Sequence, residues 1–247
     1  LKNSTVKSPS DSLAPLLAFG AHPDDIEFGI GGVIAQETRA GRPVHFVVCS
    51  KGEAGTNGTP AQRTAEAKKA AKLLGATIEF ITLDGDAQLE LRNAHTIALA
   101  RIIRRIKPSL VLAPTTEQNQ HPDHWRLGIL VRDATRLARY GGLAPLKRQP
   151  KHAIDQLFFY PVGPSAEPTG IQPMLIDISE PAIIAQWTAA MEAHASQLKT
   201  RNYVELQLAR ARLHGLNVGV AYAQPLYPND PPLLHSLAVL SRGARKF

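Results

Sequence analysis

A chain of 247 residues, 44% hydrophobic and 20% charged, is long enough to bury a sizeable core and too apolar for a disordered polymer. Its formal charge of +7 is concentrated between Arg101 and Lys151, but the helical spacing of those arginines and the lack of interleaved aromatics argue against nucleic acid as a partner. The lone Cys49 excludes an intrachain disulfide and a cysteine-built zinc centre, and no run approaches the roughly 20 apolar residues that span a bilayer.

Residues 1–12 are polar and read as a flexible segment without a leader's hydrophobic stretch, so a cytoplasmic protein is expected. Leu16–Phe19 is an apolar strand, followed by a helix from Ile26 to Arg39 that ends at Ala40-Gly41. Val44–Cys49 is a second strand, and the Gly-, Thr- and Asn-rich stretch from Ser50 to Pro60 is a loop. An amphipathic helix from Ala61 to Leu74, a strand Thr77–Leu83, a helix Leu91–Ile106, a strand Ser109–Ala113 and a helix Asp123–Tyr140 follow. Four strand–helix units in succession call for an α/β fold with a mostly parallel sheet, doubly wound, with helices on both faces. Right-handed crossovers favour the strand order 3-2-1-4.

Beyond Gly142 the pattern loosens. Ala153–Tyr160 and Met174–Ile178 look like strands, Pro181–Leu198 like a long helix, and Asn202–Leu213 like a further one. The tail, with Pro225, Pro228, Pro231 and Pro232, reads as irregular. The expectation is one domain over residues 13–247, the last part being a C-terminal extension.

Two histidine–carboxylate clusters stand just past apolar strands: His22-Pro23-Asp24-Asp25 after the first, and His121-Pro122-Asp123-His124 after the fourth. In the 3-2-1-4 order these strands are neighbours at the topological switch point, where ligands bind beyond the strands' carboxyl ends. Three protein ligands and an open position make a catalytic zinc site, and His22, Asp25 and His124 would supply them. Imidazole with carboxylate also accepts Mn²⁺, Fe²⁺ or Co²⁺. Asp24, beside Asp25 in the chain, should point elsewhere, toward a water. The competing reading is that Asp24 and Asp123 merely cap the helices that follow them.

The string AHPDDIEFGIGG and the later HPDH resemble the zinc-dependent de-N-acetylases of the PIG-L and LmbE-like family. Residues 52–59, Arg63, Asp86 and His194-Ala195-Ser196-Gln197 extend the likeness over most of the chain. The resemblance implies a Rossmann-like fold, Zn²⁺ as cofactor and hydrolysis of an N-acetyl group on a glucosamine-type sugar, and it makes a homo-oligomer plausible. Position by position it implies His22, Asp25 and His124 as zinc ligands and Asp24 as general base. It makes His121, protonated and partnered by Asp123, the stabiliser of the oxyanion. Arg63 and Asp86, and more weakly Glu53, match positions that contact substrate polar groups. His194 is a shared feature without a derivable role. Relatives often carry Glu where this chain has Gln224, after Tyr222-Ala223, which removes a charge but leaves the zinc chemistry untouched.

Overall fold

A computed structural model of the protein describes residues 13–237; the segment 1–12 and the last residues of the extension lie outside the described residues. Seven strands form one sheet in the order β3-β2-β1-β4-β5-β7-β6. These are β1 (Leu16–Gly20), β2 (Val44–Val48), β3 (Thr77–Phe80), β4 (Leu110–Pro114), β5 (Gln156–Tyr160), β6 (Met174–Asp177) and β7 (Ala223–Pro228). The first five run parallel, whereas β7 is antiparallel to both its neighbours. The expected 3-2-1-4 order is present, with Leu16 of β1 paired to Leu110 of β4.

β1 shows why the sheet is covered on both faces. Its residues alternate, so Leu16 and Ala18 enter one apolar cluster and Leu17 and Phe19 another. On the first face lie α1 (Asp25–Arg39), α2 (Pro60–Leu73), α5 (Pro181–Glu192) and α6 (Tyr203–Asn217); on the second lie α3 (Asn93–Ile106) and α4 (Pro122–Ala138).

α1 carries the most unusual local structure. Ile30 sits at φ −142°, breaking the helix. Gln224 of β7 repairs the break: its Oε1 accepts from Val33 N at 2.9 Å and its Nε2 donates to Gly29 O at 3.3 Å, the two groups that would pair in an unbroken helix. The glycines let other elements press in. A Cβ at Gly29 would stand 2.5 Å from the Tyr160 ring, and one at Gly31 2.4 Å from Trp187, which also donates from Nε1 to Glu27 O at 2.7 Å.

Two expectations are corrected. The helix expected over Pro181–Leu198 ends at Glu192, and Gln197–Lys199 form a separate 3-10 turn, which frees His194–Gln197 to act as a connector. The tail expected to be irregular contains β7, buried at five of its six positions. Its prolines are tolerated because Pro225 pairs only with Leu175 of β6 and Pro228 only with Phe158 of β5, so each lacks a donor toward one neighbour at most.

Candidate active and metal site

β1 and β4 deliver the two clusters to one place. His22 Nδ1 lies 3.1 Å from His124 Nε2, although the residues are 102 positions apart. Asp25 Oδ1 lies 3.0 Å from the same His124 nitrogen, and Asp25 Oδ2 3.6 Å from His22 Nδ1. Asp25 Oδ2 also accepts from the backbone N–H groups of Ala21 and His22 at 2.8 and 2.9 Å, which fixes the carboxylate's orientation. Donors about 2 Å from a four-coordinate ion stand roughly 3–3.5 Å from one another, and His124 Nε2 stands at such a distance from both His22 Nδ1 and Asp25 Oδ1. A ring nitrogen of His121 also comes within 4.8 Å of those of His22 and His124.

The other side of His22 is equally determined. Its Nε2 faces Asp86 Oδ1 at 3.0 Å and Asp123 Oδ2 at 3.2 Å. A carboxylate partner assigns the proton to Nε2 and leaves the Nδ1 lone pair for a metal. Burial opposes charge on His22, yet Asp25, Asp123 and Asp86 outweigh it and hold the imidazole well above its usual range. Asp25 is held well below the usual carboxylate range because His124 and His22 overcome the cost of its burial. Without a metal a proton serves as the cation that this cluster demands.

The capping alternative does not describe either carboxylate. Asp24 occupies the N-cap position of α1 without a side-chain cap bond, and at α4 it is His121 Nδ1, not Asp123, that accepts from a backbone N–H, that of Asp123. Asp24 is instead held at φ 124°, in the left-handed half of backbone space that non-glycine residues rarely enter. Its Oδ2 accepts from Arg63 Nη2 at 3.3 Å. Burial, reinforced by Asp25, raises its carboxyl to about 6 despite Arg63.

The remaining expected residues fall into place unevenly. Asp123 was expected beside the His121 ring; its carboxylate instead accepts from Ala87 N at 2.7 Å and Leu89 N at 3.2 Å and faces His22. His121 is pushed below its usual value by burial and by His22 and His124, which outweigh the opposing pull of Asp123 and Asp25. Asp86, expected on substrate, accepts from Ala54 N at 3.1 Å and supports His22. Arg63 is buried and donates to Gly52 O and Pro23 O as well as to Asp24. Glu53 is exposed, bonds Lys51 N of its own loop, and lies outside the cavity.

These groups open on a cavity of about 510 Å³. Part of its lining comes from the second half of the chain, through Val162, Pro164, Arg201, Tyr203 and Leu206, none marked by a sequence motif. His194-Ala195-Ser196-Gln197 is the nearest signal. Ser196 Oγ donates to Glu66 Oε2 at 2.6 Å, Gln197 Nε2 donates to Asn57 O at 2.9 Å, and a Cβ on Gly58 would meet Ser196 at 2.8 Å. The block thus clasps the loop between β2 and α2 that carries Ala54, Gly55 and Thr56 to the cavity.

The sequence pattern of the family described as PIG-L: GlcNAc-PI de-N-acetylase matches residues 17–135. A diacetylchitobiose deacetylase of Thermococcus kodakarensis is 28% identical over 171 residues, 63% of this chain and 62% of that protein, somewhat under two thirds of its length. An uncharacterized deacetylase of Escherichia coli, YaiS, is 35% identical over 128 residues, 49% of this chain and 68% of the other. A 4-oxalmesaconate hydratase of Pseudomonas putida is 30% identical over 141 residues, 52% and 54% of the two chains. Among solved structures, a conserved protein of Thermus thermophilus superposes with a TM-score of 0.81 at 33% identity, covering 94% of this chain and 100% of that one.

Proposed function

The chain belongs to the PIG-L family of de-N-acetylases, an enzyme family of deacetylases with a hydratase among its relatives, and on that footing we propose that it is a metal-dependent amidohydrolase that removes acetyl from an N-acetylglucosamine-type substrate. The observation that carries this reading is the convergence of His22 Nδ1, His124 Nε2 and Asp25 Oδ1 beside Asp24 and His121 on one cavity.

His22, Asp25 and His124 would hold the ion, zinc being the first candidate for this donor set. The ion, when bound, supplies Lewis-acid polarisation and a water acidified toward neutral pH. Asp24 takes the proton from water: a carboxyl raised to about 6 is ionised at pH 7 yet basic enough to accept it. Arg63 fixes the swing of that carboxylate through Oδ2. His121 acts as a neutral imidazole, since accepting from Asp123 N at Nδ1 leaves its proton on Nε2. That N–H donates to the carbonyl oxygen as charge builds on it. Asp86 and Asp123 orient His22, and the apolar wall of Val162, Pro164 and Leu206 limits water around the amide.

A second reading follows from the Pseudomonas relative: the same proton chemistry would add water across the activated double bond of an unsaturated carboxylic acid. The test is acetate release from a panel of N-acetylglucosaminides by metal-loaded wild type and Asp24→Ala, with metal measured in both and unsaturated di- and tricarboxylic acids run beside them. Acetate release that disappears in a mutant retaining metal supports the deacetylase. Hydration of an acid without acetate release from any glycoside replaces it with the second reading.

No helix among the described residues is long and apolar enough to cross a membrane.

A further inference from the structure

What fixes His22 from behind comes largely from one loop, between β3 and α3. Asp86 presents Oδ1 to His22 Nε2, and the N–H groups of Ala87 and Leu89 hold the Asp123 carboxylate beside the same nitrogen. The course of this loop is unusual. Gly85 lies at φ 98° and Ala87 at φ 63°, and an alanine stays in that left-handed region only where its surroundings impose it.

Asp84 and His95 supply that constraint from outside the site. Asp84 Oδ2 accepts from Glu90 N at 2.9 Å, which ties the two ends of the turn together across six residues. The same oxygen meets Nε2 of His95, a buried residue in the first turn of α3, at 2.7 Å. A carboxylate partner assigns the His95 proton to Nε2, so the ring donates. Asp84 accepts from no N–H of α3, and its backbone bond goes to the loop, so it is not a helix cap. Arg92 reaches only the other oxygen, at 3.4 Å, from an exposed side chain.

We propose that His95, acting through Asp84, is a positioning residue of the metal site. Its bond to Asp84 holds the turn from Asp84 to Glu90 in the shape that aims Asp86 and Asp123 at His22 Nε2. The imidazole is thereby kept with Nδ1 facing His124 and Asp25. This rests on the metal site proposed above and deepens it with a support that touches neither ion nor substrate. It also gives α3 a part in a site whose ligands lie near the starts of α1 and α4.

Zinc affinity, measured by competition with a chelator, is the main readout, with thermal unfolding beside it. His95→Ala is expected to weaken binding about 5- to 20-fold. His95→Gln, whose Nε2 can donate to the same oxygen, should restore most of that loss. Arg92→Ala, which breaks only an exposed ion pair, should stay within about twofold of wild type. Asp84→Ala should match His95→Ala and replaces it in the test should that variant not fold. Lower thermal stability with wild-type zinc affinity would make the pair a fastening of the loop alone and overturn the proposal. Equal losses in His95→Ala and His95→Gln would overturn it too. If wild type binds no zinc, the metal reading fails separately, and the ring-nitrogen NMR shifts of His22 in chelator-treated protein decide. A change in His95→Ala that His95→Gln reverses upholds the positioning role, and an unchanged ring overturns it.

Discussion

His22 Nδ1 and His124 Nε2 face each other at 3.1 Å, with Asp25 Oδ1 3.0 Å from the second nitrogen. A proton or a divalent ion can reconcile these atoms, and only the ion uses all three. His22→Ala and His124→Ala are each expected to lose bound metal, measured by mass spectrometry after dialysis, while His121→Ala keeps it. Loss of metal from His121→Ala with retention in Asp25→Ala would move the site to the three histidines.

Asp24 predicts a trade between activity and stability. Asp24→Asn should lower kcat by about 10²–10⁴. In metal-free protein the same change should stabilise the fold at neutral pH. The folded carboxyl titrates near 6 against 3.8 for an ordinary one, so the contribution of Asp24 to stability is fully present below about pH 3.8 and is lost as pH rises through 6. Two pH units correspond to about 3 kcal/mol at most. Denaturation in chelator at pH 4 and pH 8 should show no gain for Asp24→Asn at the first and a clear gain at the second; equal gains would mean that Asp24 is not strained electrostatically.

Support of His22 from behind should be measurable as metal affinity. Asp86→Asn and Asp123→Asn are each expected to weaken binding about 10- to 100-fold. Asp123→Asn should also lower stability, because its carboxylate alone holds the N–H groups of Ala87 and Leu89. Competition with a chelator of known affinity reads the first effect and thermal unfolding the second. An unchanged affinity in both variants would limit these carboxylates to holding their loops.

Gln224 fits the broken helix because it offers both a donor and an acceptor. Gln224→Glu keeps the bond from Val33 N but turns an oxygen toward Gly29 O, which should cost about 1–3 kcal/mol at pH 8. The cost should shrink at pH 5, where a buried carboxyl pushed upward by burial takes a proton and donates again. Urea titrations at the two pH values check this; a loss independent of pH would point to packing instead.

The strands β1 to β4 and the meeting of His22 with His124 were legible because alternation fixes the faces of β1 and right-handed crossovers fix its neighbours. β7 was illegible because Pro225 and Pro228 carry the signature of a loop, and only antiparallel pairing to one neighbour at a time makes them acceptable. The spacing His-Pro-Asp-His could not reveal that the Asp123 carboxylate bonds Ala87 N and Leu89 N and faces His22, since those N–H groups come from another loop. Glu53 shared its loop with cavity residues but not their direction. Arg201 and Tyr203 left no local trace because their place depends on α6 docking against α1, a packing event without a periodic signature.

The position of β7 between β5 and β6 has a consequence for how the chain is made. Strands β1 to β5 can pair in the order in which they leave the ribosome, but β6 has no sheet neighbour except β7, which emerges some fifty residues later. The same late strand brings Gln224, so α1 stays unspliced at Ile30 until residue 224 arrives. A nascent chain halted before that point holds all the histidines of the proposed metal site and lacks the splint that sets the course of α1. Arrival of β7, rather than appearance of the histidines, is therefore the step that sets the course of α1.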